Sequence, residues 1–310
     1  MYRDRTIAAV VPARNEAAHI EKVIRGLPEL VDHIVVVDDA STDDTAAIAA
    51  SAGDPRVDVI RHEENQGVGG AILTAHRRAL ELGSDIDVVF AGDDQMDPQY
   101  LPALLDPIVE RGYGFTKANR FFSRTSFSGM PRHRVFGNIV LSFLTKFASG
   151  YWHLFDPQNG YTATSREALE LLPFDEIAKG YEFENDFLIN LNIVGIRALD
   201  VSVPARYGDE VSGIQLRRVG PAIVWLLFRG FWKRLIWKYT IRSFSPIALF
   251  FFAGLALVAW GVGFGIWVVA QTIGPSVATT GTVLLSVVPF LIGVQLLISA
   301  LVLDIQESPD

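Results

Sequence analysis

The 310 residues are half apolar and one-fifth charged, with 27 basic against 35 acidic side chains and a formal net charge of −8, enough for one sizeable α/β domain plus an appendage. The absence of cysteine excludes disulfides and thiolate metal sites. An acidic chain also lacks the cationic surface that affinity for a phosphate backbone requires, so no nucleic-acid partner is expected.

The first five residues are polar and the apolar run at 7–11 is too short for a secretory h-region, so no signal peptide is expected. That run ends at Pro12, and Ile20, Val23, Ile24 and Leu27 then recur on one helical face, which reads as strand, loop and amphipathic helix. Residues 34–37 form a second β-branched run closed by Asp38 and Asp39, with Ser41 and Thr42 as N-cap candidates for a helix through Ala50. Residues 57–60 give a third strand. After Asn65 and a Gly-rich turn, a helix is predicted from about Ala71 to Leu82. Residues 88–90 make a fourth strand that ends in Gly92, Asp93 and Asp94. Strands alternating with helices imply a mostly parallel sheet with helices on both faces.

Ligands bind such sheets at the carboxyl ends of the strands. Three of the first four strands end in polar clusters: Arg14, Asn15 and Glu16; Asp38 and Asp39; Asp93, Asp94 and Gln95. Any one cluster could merely cap a helix or turn. Three together point to a site.

The remainder differs in kind. Residues 243–303 contain no Asp, Glu, Lys, Arg or His, and seven basic residues precede them at 217, 218, 229, 233, 234, 238 and 242 with no acidic one among them. Two spans are predicted at about 247–270 and 283–303, each close to the ~20 residues that cross a hydrocarbon core. The Trp- and Arg-rich stretch 221–242 has the composition of a helix lying in the membrane interface and suits anionic lipid. The expected organisation is therefore a head at 1–216, a basic juxtamembrane segment at 217–242, two spans within 243–304 and a tail at 305–310. Positive charge on only one side of the hairpin places head, collar and both termini in the cytoplasm, with 271–282 outside. The spans are also candidate contact surfaces for a homo-oligomer.

The motifs VPARNE at 11–16, VVVDDASTDDT at 35–45, NQGVGGA at 65–71 and GDDQMDP at 92–98, with DPQNGYTATSREAL at 156–169 and YEFENDF at 181–187, resemble the inverting GT-A glycosyltransferases of family 2. Within that group they look most like the dolichol-phosphate and polyprenyl-phosphate sugar synthases. The resemblance implies a GT-A, Rossmann-like nucleotide-sugar domain, a UDP- or GDP-sugar donor, a polyprenyl or dolichyl phosphate acceptor, and Mg²⁺ or Mn²⁺. Asp93 and Gln95 match the family's metal-binding positions, while its first Asp is Ala91 here. A divalent ion stabilises the charge that builds on the leaving diphosphate, and hard oxygen ligands suit it. Asp94 is the candidate to compensate for Ala91, and Asp93, Asp94 and Asp156 form the implied catalytic set.

Pro12, Arg14, Glu16, Val37, Asp39 and Asp93 match nucleotide-sugar positions. Arg120, Arg132, Arg134 and Arg206 match the acceptor side. A lipid monophosphate is already an anion, its second pKa being about 6, so it needs cations to position it rather than a strong base. Were the acceptor a hydroxyl, Asp186 would be the candidate base. The six histidines show no metal-ligand spacing and are read as structural or surface residues. Two alternatives stand beside this reading. One is a processive polysaccharide synthase, half-matched by QLRRV at 215–219. The other is a membrane-anchored binding subunit that lost its chemistry, suggested by Ala91.

Overall fold

The computed structural model describes residues 1–120, 132–204, 216–273 and 277–309. Seven strands form one sheet: β1 Ile7–Ala13, β2 His33–Asp38, β3 Val57–Arg61, β4 Ile86–Val89, β5 Phe115–Asn119, β6 Thr162–Ser165 and β7 Ala198–Ser202. Their order is β3-β2-β1-β4-β6-β5-β7. All pairings are parallel except those of β6, which runs antiparallel to β4 and β5.

Both faces of the sheet are covered, and β1 shows why its sequence is continuously apolar. Ile7, Ala9, Val11 and Ala13 enter one core with Ile20 and Ile24 of helix α1 (Ile20–Gly26). Ala8 and Val10 enter the other with Ala71, Ile72 and Ala75 of helix α3 (Val68–Glu81). Side chains alternate across a strand, so a strand buried on both faces loses the polar alternation.

Three local differences from the sequence expectation have simple causes. Strand β1 continues through Pro12, whose carbonyl accepts the Gly92 N–H at 3.3 Å. The β1–β4 ladder has already ended at Val10, so the N–H that Pro12 lacks would have met no ladder partner there. Helix α2 (Thr45–Ala50) starts later than a Ser41 or Thr42 cap would place it, because the Ser41 hydroxyl is taken by Asp38 and the Thr42 N–H by Asn15 Oδ1. Helix α3 starts earlier, at Val68, because Gly69 fits its first turn against Phe183; an added Cβ would lie 2.7 Å from that side chain.

The rest of the head comprises α4 (Leu101–Arg111), α5 (Arg132–Ser149), α6 (Arg166–Glu170) and α7 (Phe183–Val194). Helix α8 (Leu216–Arg234) continues into π-helical turns over Leu235–Arg242, followed by α9 (Pro246–Thr272) and α10 (Thr280–Gln306). The chain divides into two compact units, Met1–Phe231 with Pro309–Asp310, and Trp232–Ser308.

In the second unit, α9 and α10 are long and apolar enough to cross a membrane, each with mean hydropathy 2.3. They pack closely through small residues. A Cβ on Gly261 would lie 2.7 Å from Phe290 Cβ, one on Gly293 would lie 2.7 Å from the Val258 nitrogen, and Ser286 Oγ donates to the Gly261 carbonyl at 2.7 Å. Without a hydrophobic drive between helices in lipid, such close backbone approach is what holds a hairpin together. The small residues thus serve contacts within the chain. In the same unit Arg234 makes a two-pronged buried ion pair with Asp304, and the Tyr239 hydroxyl joins both.

Candidate active site

The carboxyl ends of β1, β2 and β4 are stitched together by backbone. The Asp39 N–H reaches the Ala13 carbonyl at 2.9 Å, and Gly92 reaches back to Pro12. Gly92 sits so close that a Cβ there would be 3.3 Å from both Ala13 Cβ and Glu16 Cγ. The loop after β1 is tied to the loop after β2: Asn15 N–H to Ser41 Oγ at 2.9 Å, Thr42 N–H to Asn15 Oδ1 at 2.9 Å, and Glu16 N–H to Thr45 Oγ1 at 2.8 Å. Asn15 adopts φ +60°, a conformation Asn tolerates better than most residues. These contacts leave Arg14 exposed and Pro12 and Glu16 half-buried at the rim. Val37, expected on the nucleotide-sugar side, ends the apolar run of β2. Its side chain is fully buried in the core with Val35 and Ala71, so it backs the site.

The two aspartates after β2 have different work. Asp38 is buried and closes its own turn by accepting the Ser41 N–H at 3.2 Å and the Ser41 hydroxyl. Asp39 accepts the Gln66 and Gly67 N–H groups at 2.8 Å each, and His62 Nδ1 lies 2.8 Å from the same carboxylate. A carboxylate has about four lone-pair positions, and these contacts hold the 62–67 loop against Asp39. Gly67 is required there, with φ +86° and the Lys179 carbonyl 2.5 Å from where a Cβ would stand. The Lys179 carbonyl also accepts the Gly69 and Gly70 N–H groups at 3.0 and 3.3 Å. Asp186, on α7, accepts the Ala178 N–H at 2.8 Å. The buried Asp186 thereby anchors the loop that clasps the glycines.

After β4, the Gln95 N–H donates to Asp93 Oδ1 at 3.1 Å, which places Asp93 and Gln95 on one tight turn. Asp94, at φ +60°, is drawn instead into an ion pair with Lys22 of α1. No group of three or more His, Asp or Glu side chains forms a ready cage among the described residues. One carboxylate with hard-oxygen neighbours still fits Mg²⁺ or Mn²⁺, which usually take one or two carboxylates and leave the rest to substrate phosphates and water.

On the far side of β4, Arg120 follows β5 and grips Asp156 with two hydrogen bonds, Nε to Oδ2 at 2.7 Å and Nη2 to Oδ1 at 2.9 Å. Two residues expected in separate roles, acceptor binding and catalysis, are thus one unit. Asp156 has φ +49° and is 4% exposed. Its backbone is held by groups the sequence did not single out. Buried Lys117 donates to the Phe155 carbonyl and, at 3.0 Å, to the Asp156 carbonyl, and pairs with Asp200 of β7 at 3.0 Å. Asp200 also accepts the Phe155 N–H at 2.6 Å and Asn119 Nδ2 at 2.8 Å. No local pattern marks Lys117 or Asp200, since each looks like one charged residue in a strand. The Arg132 and Arg134 side chains, and Arg206 altogether, lie outside the described residues.

Glu184, on the first turn of α7, lines a small cavity with His76, Lys117, Asn159, Thr162 and Phe183. Burial pushes its carboxyl up from 4.5 to about 7, with Glu182 adding to the rise. A folded-state pKa above the unfolded one means the native protein holds the extra proton, so this group's contribution to stability is present below about 4.5 and is lost as pH rises to about 7. Replacing Glu184 by Gln is expected to flatten stability against pH over that window, measured by urea unfolding at several pH values. An unchanged slope would contradict the buried acid. His76 pairs with Asp87 at 2.8 Å and stacks on Phe187, which bears out the structural role expected for it.

This mostly parallel sheet, with acidic loops gathered at its carboxyl edge, is a GT-A glycosyltransferase fold. Solved structures of glucosyl-3-phosphoglycerate synthase from Mycobacterium tuberculosis, one in complex with Mn²⁺, UDP-glucose and phosphoglyceric acid, superpose with a TM-score of 0.54 and 27% identity over 74% of this chain and 80% of that one. Residues 8–172 match the family described as Glycosyl transferase family 2, and the chain belongs to that family. Among its relatives, UDP-N-acetylglucosamine–dolichyl-phosphate N-acetylglucosaminyltransferase of Methanococcus voltae is 34% identical over 60% of this chain and 80% of its own length. Undecaprenyl-phosphate mannosyltransferase of Micrococcus luteus is 28% identical over 64% and 82%, and polyprenol monophosphomannose synthase of Mycolicibacterium smegmatis is 29% identical over 66% and 78%. The protein is a glycosyltransferase.

Proposed function

We propose that this enzyme transfers a sugar, with inversion, from a UDP- or GDP-sugar to a membrane polyprenyl or dolichyl phosphate. The observation that carries the reading is the Arg120–Asp156 pair at the strand-end site of a chain that continues into two apolar, membrane-length helices. Asp156 fixes the Arg120 guanidinium, and the Arg120 side chain remains 41% exposed. A planar guanidinium suits a phosphate oxygen with two parallel donors. The relatives that act on dolichyl, undecaprenyl and polyprenol phosphates support the acceptor class.

Pro12, Arg14 and Glu16 form the nucleotide side, and Asp39 contributes through the loop it holds. Asp93 and Gln95 would hold Mg²⁺ or Mn²⁺, which when bound stabilises charge on the leaving diphosphate. The acceptor arrives as an anion, so the chain's task is to align it for in-line attack. Asp186 is committed to the Ala178 N–H, which suits an anchor better than a base.

The test supplies the full chain in lipid with a panel of UDP- and GDP-sugars and a short polyprenyl phosphate. Sugar should become acid-labile on the lipid phosphate in a Mg²⁺- or Mn²⁺-dependent manner. Transfer to phosphoglycerate or a glycan hydroxyl, with the lipid phosphate untouched, would sink the reading.

The basic residues before α9 support a cytoplasmic head and cytoplasmic termini under the positive-inside rule. Reporters fused at the two ends should therefore report the cytoplasmic face, and one inserted at 271–282 the other. An external C-terminus would overturn the two-span topology.

A further inference from the structure

Among the described residues, helices α5 and α8 each bury one face and leave another apolar face uncovered. Ala148 of α5 packs with Ile223 and Leu227 of α8 and with Ile189 of α7, and Leu144 lies against the same cluster. Beyond this seam, α5 exposes Ile139, Val140 and Phe143, and α8 exposes Val224, Trp225 and Phe228; Phe143 is 59% and Trp225 64% exposed. Val140, Phe143 and Phe147 follow one another at three- and four-residue spacing, as do Val224, Phe228 and Phe231, so each set forms a single stripe. The Phe147 and Phe231 rings stack with centroids 4.9 Å apart and join the two stripes. Trp225 stacks on Phe228 at 5.8 Å and widens the strip. A monomeric soluble protein rarely leaves so many large side chains contiguous and wet.

We infer that this α5–α8 strip is a lipid-contacting face of the catalytic head, seated at the headgroup–acyl boundary of the bilayer. Continuity decides the occupant. Helix α8 runs unbroken into the π-helical turns at Leu235–Arg242, and the first membrane-length helix begins at Pro246. Charge agrees, since exposed Arg229 neighbours Phe228 and no acidic residue falls between 211 and 303, which suits anionic headgroups. The composition, aromatic and aliphatic with a basic flank, is that of an interfacial surface. Helix α5 is the addition to what α8's sequence suggests. It leads through the 150–155 loop to Asp156, so the strip ties the depth of the head at the bilayer to the acceptor side of the site.

The absence of cysteine from the chain makes the test direct. Phe143→Cys, Phe228→Cys and, as an equally exposed control, Leu171→Cys would each carry an environment-sensitive fluorophore in the full chain, reconstituted in bilayer nanodiscs with brominated lipids. Labels at 143 and 228 should be quenched, more by bromines high on the acyl chain than by those near its end, because interfacial helices sit only roughly 5–10 Å deep. The label at 171 should not be. An unquenched 143 label, equal quenching at all three sites, or 143–143 crosslinking between copies at high lipid dilution would each overturn the proposal. Should Phe143→Cys fail to fold, Ile139→Cys reads the same face. The measurement needs no turnover, so it stands or falls separately from the proposed acceptor.

Discussion

Replacing Asp93 by Ala is expected to lower sugar transfer by roughly a thousandfold while leaving the fold intact. Electrostatic help to a departing diphosphate is a matter of several kcal/mol, and each 1.36 kcal/mol is tenfold in rate. The fold should survive because Asp93 sits on a half-buried turn at a strand end, outside both cores of the sheet. Asp94→Asn supplies the contrast. Asp94 is paired with Lys22, so its loss should cost far less transfer than the loss of Asp93. Initial rates with Mg²⁺ or Mn²⁺, alongside circular dichroism of both variants, check this. A folded Asp93→Ala enzyme with near-normal turnover would remove Asp93 from the site, and equal losses in the two variants would remove the distinction between them.

Arg120→Ala is the second large expected effect, and it separates structure from chemistry. Breaking a buried ion pair from one side strands the other charge, a cost of roughly 3–5 kcal/mol. Here the Asp156 side chain is 5% exposed but the Arg120 side chain 41%, so solvent screening should bring the loss to roughly 2 kcal/mol. Asp156→Ala removes the buried carboxylate and leaves a half-exposed arginine side chain, and should cost less stability. The double variant should recover stability relative to Arg120→Ala, because no orphan carboxylate remains. It should not recover transfer to lipid phosphate. Urea unfolding and the lipid-transfer assay on all three variants form the test. A double variant that regains both would reduce the pair to a structural tie.

The first four strands and the helices between them were legible because each is short, apolar and punctuated by turn residues, and the site loops follow at the strand ends. The stitching was only half legible. Asp39 is visible as a site residue, but its partners Gln66, Gly67 and His62 come from another loop, and nothing local to the Asp-Asp pair tells that Asp38 turns inward while Asp39 reaches across. The antiparallel strand β6, which inserts between β4 and β5, was invisible for a different reason. Its four residues carry no period, and its place is set by partners distant in sequence. Lys117 and Asp200 show the same limit in electrostatic form. Each alone reads as a surface charge, and only their meeting, with both buried, explains why Asp156 holds a left-handed backbone.

The Arg234–Asp304 pair has a consequence for how the chain is made. Arg234 precedes the first apolar helix, and Asp304 stands on the last turn of the second. During synthesis the arginine emerges before both apolar helices, and the carboxylate it will hold follows them. The collar therefore cannot reach its final conformation while the hairpin is still being inserted. It closes only once the second helix has brought Asp304 back beside Arg234. The pair thus ties the collar to the completed hairpin: a chain truncated just short of Asp304 would keep most of both apolar helices and lose the carboxylate that Arg234 and the Tyr239 hydroxyl share.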